Sequence, residues 1–387
     1  MKILVYADKN KLKPIGGPYG YLYNLAAGLN IIENNDVHFL NENTTEVEFK
    51  SRTVKNKRLK NKIWLNYYVL KALMGRGIES DLDFNEFDAV HFHSTVDLYN
   101  NRKKLETYRG RVVLTSHSPK AFYLEVYDMM KEGGIPFSKS LMTKFEKIDE
   151  YAFNHCTDII FPCKTAMEPY YHTWSYFRDN LDTFISKTHY LLTGLDCAKT
   201  IKKMDLSFIT NRDKKFIISY VGRHNNIKGY DLLMEAARKI SNIDSSVVFV
   251  AAGREEPLSH DDKLKNWYEI GWTDNPMGLV AASDLYVLPN RETYFDLALI
   301  EALAASAVVL ISETGGNKYF KKYNSSSINF FEAGNVDQLV ENILRIKKSG
   351  ITSDQRQYSR LIYEEDFIPS IFAQNYLRTL STICEGN

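Results

Sequence analysis

Short apolar runs rich in β-branched residues recur along the sequence, and longer stretches with helical spacing separate them. Such alternation is the signature of a parallel α/β chain, because parallel strands are joined by crossover helices. The first series of expected strands is KILVYA (Lys2–Ala7), DVHFL (Asp36–Leu40), AVHFH (Ala89–His93), VVLTSH (Val112–His117), TDIIFP (Thr157–Pro162) and HYLLT (His189–Thr193). A polar stretch, Asp196–Lys215, then breaks the pattern and reads as a linker. A second series follows: FIISYVG (Phe216–Gly222), SVVFVAAG (Ser246–Gly253), LYVLP (Leu285–Pro289), AVVLIS (Ala307–Ser312) and SINFFEAG (Ser327–Gly334). Helical spacing is clearest over Tyr19–Leu29, Tyr230–Ile240 and Val336–Lys348. At 387 residues the chain exceeds one ordinary core, so two α/β domains in tandem are expected.

Composition removes several function classes. A net charge of +1 argues against a nucleic-acid binder that relies on overall positive charge. The cysteines, Cys156, Cys163, Cys197 and Cys384, show neither a CxxC pair nor metal-ligand spacing, and read as free thiols in a reducing cytosol. MKILVYADKN has too short an apolar core for a signal peptide, and no run approaches the roughly 20 apolar residues a spanning helix needs. A cytoplasmic location is expected. One segment leaves room for contact with a membrane surface. KSRTVKNKRLKNK (Lys50–Lys62) holds seven basic residues, among them Lys55, Lys57, Arg58, Lys60 and Lys62, and no acidic one. It leads into the apolar, aromatic stretch Ile63–Met74, a combination that adsorbs to anionic membrane surfaces or serves as a solvated loop beside a core helix.

Ligands in parallel α/β sheets sit beyond the carboxyl ends of the strands, and tandem domains favour a cleft between them. The polar residues just after strands are therefore the candidates. In YVGRHNNIKGYDLL (Tyr220–Leu233), Arg223 and Lys228 follow a strand and precede a helix, with Asp231 as its cap or first-turn acid. Two cations beside a helix start suit a phosphate or diphosphate, while for such a loop alone two surface cations on a βα turn are the commoner case. In PIGGPYGYLYNLAAGL (Pro14–Leu29), Gly16 and Gly17 allow close backbone approach ahead of a helix. It is not a GxGxxG fingerprint, so a dinucleotide site is poorly supported. VHFHS and LTSHSP each place a histidine at a strand end, His117 in the second; most such histidines are structural. PNRETYFDLALIEALA (Pro289–Ala304) puts polar residues after a strand and a single charge, Glu301, inside the helix that follows. A buried carboxylate ionises only with a partner, and none lies nearby in sequence.

The order of these pieces resembles the retaining glycosyltransferases of family 4: the Gly-Gly loop, strand-end H-x-H, T-x-H, TGLD (Thr193–Asp196), G-R-x4-K-G-x-D, AAG, ASDLYVLPN and a helix ending in EALA. The resemblance covers nearly the whole chain. It implies the GT-B fold, two Rossmann-like domains with parallel sheets facing across a cleft. The N-terminal acceptor domain would span 1–196 with a helical return at about 369–387, and the donor domain 197–368. Arg223 and Lys228 match the pair that holds the donor diphosphate, and His117 the histidine near the donor sugar. Glu301 matches the glutamate that accepts hydrogen bonds from the ribose hydroxyls, Gly17 the glycine that lets backbone approach the phosphates, and Gly253 a position near the nucleobase. One departure stands out: Thr293 occupies the place of the family's first glutamate, Tyr294 and Asp296 those of two glycines flanking Phe295, and Glu292 is one residue early.

The resemblance implies transfer of a hexose or N-acetylhexosamine from a nucleoside-diphosphate sugar, a UDP-sugar foremost, with retention. The acceptor would be a glycan or lipid-linked glycan in bacterial surface polysaccharide synthesis. No cofactor and no metal are expected, because the cations take over charge neutralisation and no DxD-type pair follows a strand. Two alternatives remain: a non-catalytic nucleotide-sugar-binding partner of another glycosyltransferase, and a GT-B sugar-nucleotide epimerase.

Overall fold

A computed structural model describes residues 1–14, 17–40, 67, 69, 82–132, 134–136, 138–197, 200–256, 258–261 and 263–386. The chain divides into two compact units. The first comprises Met1–Pro162, Met167–Leu191 and Ala373–Asn387, the second Cys163–Ala166 and Leu192–Phe372.

Unit 1 is built on a six-stranded sheet of β1 (Ile3–Asp8), β2 (Val37–Leu40), β3 (Ala89–Phe92), β4 (Arg111–Leu114), β5 (Asp158–Phe161) and β6 (Thr188–Tyr190), in the order β2-β1-β3-β4-β5-β6. Every pairing in it is parallel. Every residue of β1, β3 and β5 is buried, as expected where helices cover both faces of a parallel sheet. That is why these strands read in sequence as largely apolar runs. Unit 1 is completed by residues far down the chain. The helix Pro369–Glu385 buries Ala373, Tyr376, Leu380 and Ile383, one apolar stripe at helical spacing.

Unit 2 repeats the architecture with β7 (Phe216–Val221), β8 (Val247–Ala252), β9 (Trp267–Gly271), β10 (Leu285–Leu288), β11 (Val308–Ser312) and β12 (Ile328–Phe331). The order is β12-β11-β10-β7-β8-β9, again wholly parallel. Tyr230, Leu233, Ala237 and Ile240 of the helix Tyr230–Ser241 pack with Phe249 of β8 and with Leu339 and Ile343 of the helix Val336–Ser349. The apolar stretch after Asp296 divides into a helix, Leu297–Ala304, and strand β11, joined by Ser306 at φ +59°. Among the described residues no helix is long and apolar enough to cross a membrane.

Two features differ from the sequence reading. Strand β9 was not anticipated, because only Trp267 of its five residues is buried and the apolar signal is diluted at this sheet edge. The expected linker is also partly structured: Leu206 and Ile209 are buried with Ile217, Val248 and Val250 against the sheet of unit 2. Met204 N donates to Gly278 O at 2.9 Å, tying the same segment to the chain before β10.

Each sheet has a point where strand order reverses. In unit 1 it lies between β1 and β3, in unit 2 between β7 and β10. Loops leaving those neighbouring strands diverge, and the crevice between them is where open α/β sheets bind ligands.

Candidate functional site

In unit 2 the switch point is lined by the loops after β7 and β10. The β7 loop carries Arg223 and Lys228 and ends at Gly229, which caps the helix Tyr230–Ser241 with φ +66°. A Cβ there would lie 1.8 Å from Pro289 O, so the two loops meet through a position only glycine can fill. Asn225 Oδ1 accepts from Lys228 N at 2.8 Å and shapes the turn. Arg291 fastens the β10 loop to it, donating to both carboxylate oxygens of Asp231 at 2.7 and 2.6 Å and to Asn226 O at 2.7 Å. Asp231 is therefore a first-turn acid with a bidentate partner, and Gly229 is the cap.

The two cations are not equivalent. Arg223 is exposed, and its guanidinium makes no hydrogen bond or ion pair among the described residues. Lys228 is engaged: its Nζ lies 2.7 Å from Asp296 Oδ2. Asn290 Nδ2 donates to the same oxygen at 2.6 Å, and Asp296 Oδ1 accepts from Ala298 N at 3.2 Å, capping the helix Leu297–Ala304. Burial works to raise the Asp296 carboxyl, but Lys228, Asn290 and the Ala298 amide outweigh it and hold it below the usual range. Asp296 is thus a buried, ionised carboxylate held against the lysine. The sequence placed Asp296 only at a glycine position of the family and did not show this pairing, since the partner lies far away in sequence.

Glu301 sits in the same helix, half-buried, and its carboxylate makes no hydrogen bond among the described residues. Burial first, and Asp296 second, push its carboxyl up to about 7. The lone charge of the apolar stretch is thus poised between charged and neutral near physiological pH.

The remaining residues of the loop divide by environment. Thr293 is buried, and its carbonyl accepts from Gly316 N at 3.3 Å. Phe295 lies in an aromatic cluster, its ring centroid 5.6 Å from that of Phe320 and 6.3 Å from that of Phe367. Glu292 and Tyr294 are half-buried. Gly253, after β8, packs directly against the carbonyl of Gly222. His224, beside Arg223, was not singled out in the sequence. It is fully buried, stacks on Tyr230 at 3.9 Å, and faces Glu269 Oε1 at 3.7 Å from its Nε2.

In unit 1 the switch point is lined by Tyr21, His93 and His117. Gly17 begins the helix Gly17–Ile31 with φ +59° and open space where a Cβ would stand. Tyr21, one turn on, packs its ring 4.7 Å from that of His117 and 5.6 Å from that of His93. His93 Nδ1 and His117 Nε2 are hydrogen-bonded at 2.9 Å. Behind them His91 is hydrogen-bonded through Nε2 to Thr115 Oγ1 at 2.8 Å and through Nδ1 to Tyr376 Oη at 3.0 Å. Burial lowers all three imidazoles, His91 and His117 to about 3, so they are neutral at physiological pH. The structure therefore joins His117 to two histidines that strand-end position alone did not connect. Gly16 and the basic residues Lys55, Lys57, Arg58, Lys60 and Lys62 lie outside the described residues.

Comparison with known proteins follows the same division. Residues 215–349 match the family described as Glycosyl transferases group 1. The chain is 27% identical over 169 residues to the UDP-Gal:alpha-D-GlcNAc-diphosphoundecaprenol alpha-1,3-galactosyltransferase of Escherichia coli, a match covering 40% of this chain and 43% of that protein. It is 23% identical over 184 residues to granule-bound starch synthase 2 of Solanum tuberosum, covering 42% of this chain and 24% of the synthase. Each match thus spans less than half of the relative's length. Among solved structures, Anabaena Alr3699/HepE in complex with UDP superposes with a TM-score of 0.61 at 15% identity, over 99% of this chain and 100% of that one. The apo lipopolysaccharide outer core galactosyltransferase WaaB gives 0.59 at 11% identity, over 99% of both chains. The fold is that of the GT-B glycosyltransferases, and the family match within unit 2 supports a glycosyltransferase.

Proposed function

We propose that the protein is a retaining glycosyltransferase of family 4. It transfers a hexose or N-acetylhexosamine from a nucleoside-diphosphate sugar, a UDP-sugar foremost, to a glycan or lipid-linked glycan. The observation that carries the reading is the placement of Arg223 and Lys228 at the β7–β10 switch point, inside the segment that matches the glycosyltransferase family. A lengthening sugar–phosphate bond piles negative charge on the leaving diphosphate, and a fixed cation there contributes about 3 kcal/mol per good contact. Arg223 reaches the diphosphate directly. Lys228 does so by turning from Asp296, or by sharing its protons between carboxylate and phosphate. Glu301 accepts from the ribose hydroxyls. The protein's contribution is then positioning and electrostatics, without a resident cofactor or metal.

The UDP preference is supported by the Anabaena structure in complex with UDP, and the lipid-linked acceptor by the E. coli relative, whose name specifies a diphosphoundecaprenol substrate. A bacterial surface-polysaccharide setting on the cytoplasmic side of the membrane fits both. The test is a screen of UDP-, GDP- and dTDP-sugars for release of nucleoside diphosphate. Arg223→Ala and Lys228→Ala are expected to lower release by about a hundredfold or more while the protein stays folded. Wild-type rates in both variants overturn the assignment.

One observation favours a second reading. Asp296 already occupies Lys228 and places a negative charge at the helix end nearest the switch point. A non-catalytic partner of another glycosyltransferase would tolerate that loss of diphosphate affinity. Thermal shift with UDP and GDP separates the two: the transferase gains stability with one of them, and a non-catalytic partner gains little or none.

A further inference from the structure

One imidazole nitrogen of the histidine cluster in unit 1 finds no partner among the described residues. His93 is 8% exposed, and its Nε2 is buried with no hydrogen bond among the described residues. Its other nitrogen, Nδ1, is bonded to His117 Nε2 at 2.9 Å. A bond between two neutral imidazoles has one donor and one acceptor, so the proton lies on one of two sides. If His117 Nε2–H donates, His93 must carry its own proton on Nε2, a buried N–H with no acceptor. If His93 Nδ1–H donates, its Nε2 is a bare lone pair. Orphaned buried backbone N–H groups are rarer in folded proteins than under-satisfied carbonyls, and carrying that preference over to the imidazole favours the second arrangement.

His91 does not compete for this proton, because Thr115 and Tyr376 satisfy both its nitrogens. Its ring backs that of His93 at 4.1 Å, and Tyr21 packs on both His93 and His117, so the pair is clamped in ring orientation. We infer that His93 is a positioning residue: it donates Nδ1–H to His117 Nε2 and so fixes the proton of His117 on Nδ1. The tautomer makes the free edge of His117 a hydrogen-bond donor. Its ligand is then an oxygen acceptor, a sugar hydroxyl or phosphate oxygen, and His117 neither takes up nor releases a proton during transfer. Burial agrees, since it keeps both rings neutral across the physiological range. The tautomer follows from the geometry of unit 1; its catalytic meaning rests on the transferase reading.

Side-chain nitrogen-15 chemical shifts distinguish a protonated from a bare imidazole nitrogen, and His117→Asn assigns the His117 signals. In the wild-type protein at pH 6 to 8, His117 is expected as a single species with Nδ1 protonated and Nε2 bare. His93→Phe keeps a ring without a donor and should leave His117 as an average of both tautomers. His93→Asn, whose amide N–H replaces Nδ1–H, should restore the wild-type pattern. With a donor from the sugar-nucleotide screen, turnover should fall about tenfold or more in His93→Phe and recover in His93→Asn. A wild-type His117 protonated on Nε2 overturns the inference, whether or not the phenylalanine variant folds, as does an unchanged single tautomer in His93→Phe. If no donor is found, the transferase reading fails while the nitrogen shifts still decide the role of His93.

Discussion

Glu301 illustrates how much depends on a single carboxyl group. Its proton is held up to about 7, against an ordinary value of 4.5, chiefly because the folded protein takes it out of water. An acid raised on folding costs stability as pH climbs: above 4.5 the unfolded chain releases the proton, while the folded chain keeps it until about pH 7. Glu301→Gln should therefore flatten part of the decline in stability between those two values in denaturant titrations. Under the proposed ribose contact the ligand has the opposite dependence. The ionised carboxylate is the better acceptor, so nucleotide affinity should rise between pH 6 and 8 by about fivefold, and by less in Glu301→Gln, as read by calorimetry. Equal slopes in both proteins would remove Glu301 from the ribose. The Lys228–Asp296 pair gives a second test. Asn caps helices as well as Asp, so Asp296→Asn keeps the cap while releasing Lys228 and removing a negative charge. Nucleoside-diphosphate binding should tighten by about fivefold or more; unchanged affinity would mean that Lys228 does not reach the diphosphate. The position of Lys228 after a strand was legible in the sequence, but its engagement with Asp296 was not. No local pattern announces a contact between residues 68 positions apart.

At the scale of elements, what could be read depended on how a strand is buried. Central strands of a parallel sheet are covered on both faces, so KILVYA, FIISYVG and SVVFVAAG stand out as apolar runs and became β1, β7 and β8. WYEIG did not, because an edge strand keeps polar Glu269, whose carboxylate accepts from Tyr230 Oη at 2.8 Å and from Gly271 N at 3.2 Å. Loop geometry was legible only where a residue type is forced. Gly229→Ala should destabilise unit 2 by about 3 kcal/mol or more in chemical denaturation, because a side chain there meets both a left-handed backbone and the Pro289 carbonyl. The helix Ser353–Asp366 offers a milder comparison. Thr352 and Gln355 form a reciprocal capping box at its start. Thr352→Ala should cost about 1 kcal/mol, with nucleotide binding unaffected. An effect at Gly229 no larger than the one at Thr352 would show that the β7 and β10 loops can separate freely.

For the whole molecule, the main consequence lies in how the sequence is threaded through the two units. The histidine cluster at the β1–β3 switch point uses Tyr376, a residue that follows all of unit 2. Removing residues 373–387 should therefore damage unit 1, the more distant part of the sequence, and leave the circular dichroism and nucleotide binding of unit 2 largely intact. Tyr376→Phe removes only the hydroxyl bonded to His91 and should cost about 1 kcal/mol. A ribosome delivers this sequence in one direction, and unit 2 is complete at Phe372 while unit 1 still lacks its last helical turns. The half synthesised second can thus fold first. Unit 1 must wait for residues 373–387, which are translated after unit 2. Chaperone dependence should accordingly follow the exit of residues 373–387, reversing the usual N-terminal-first order of maturation.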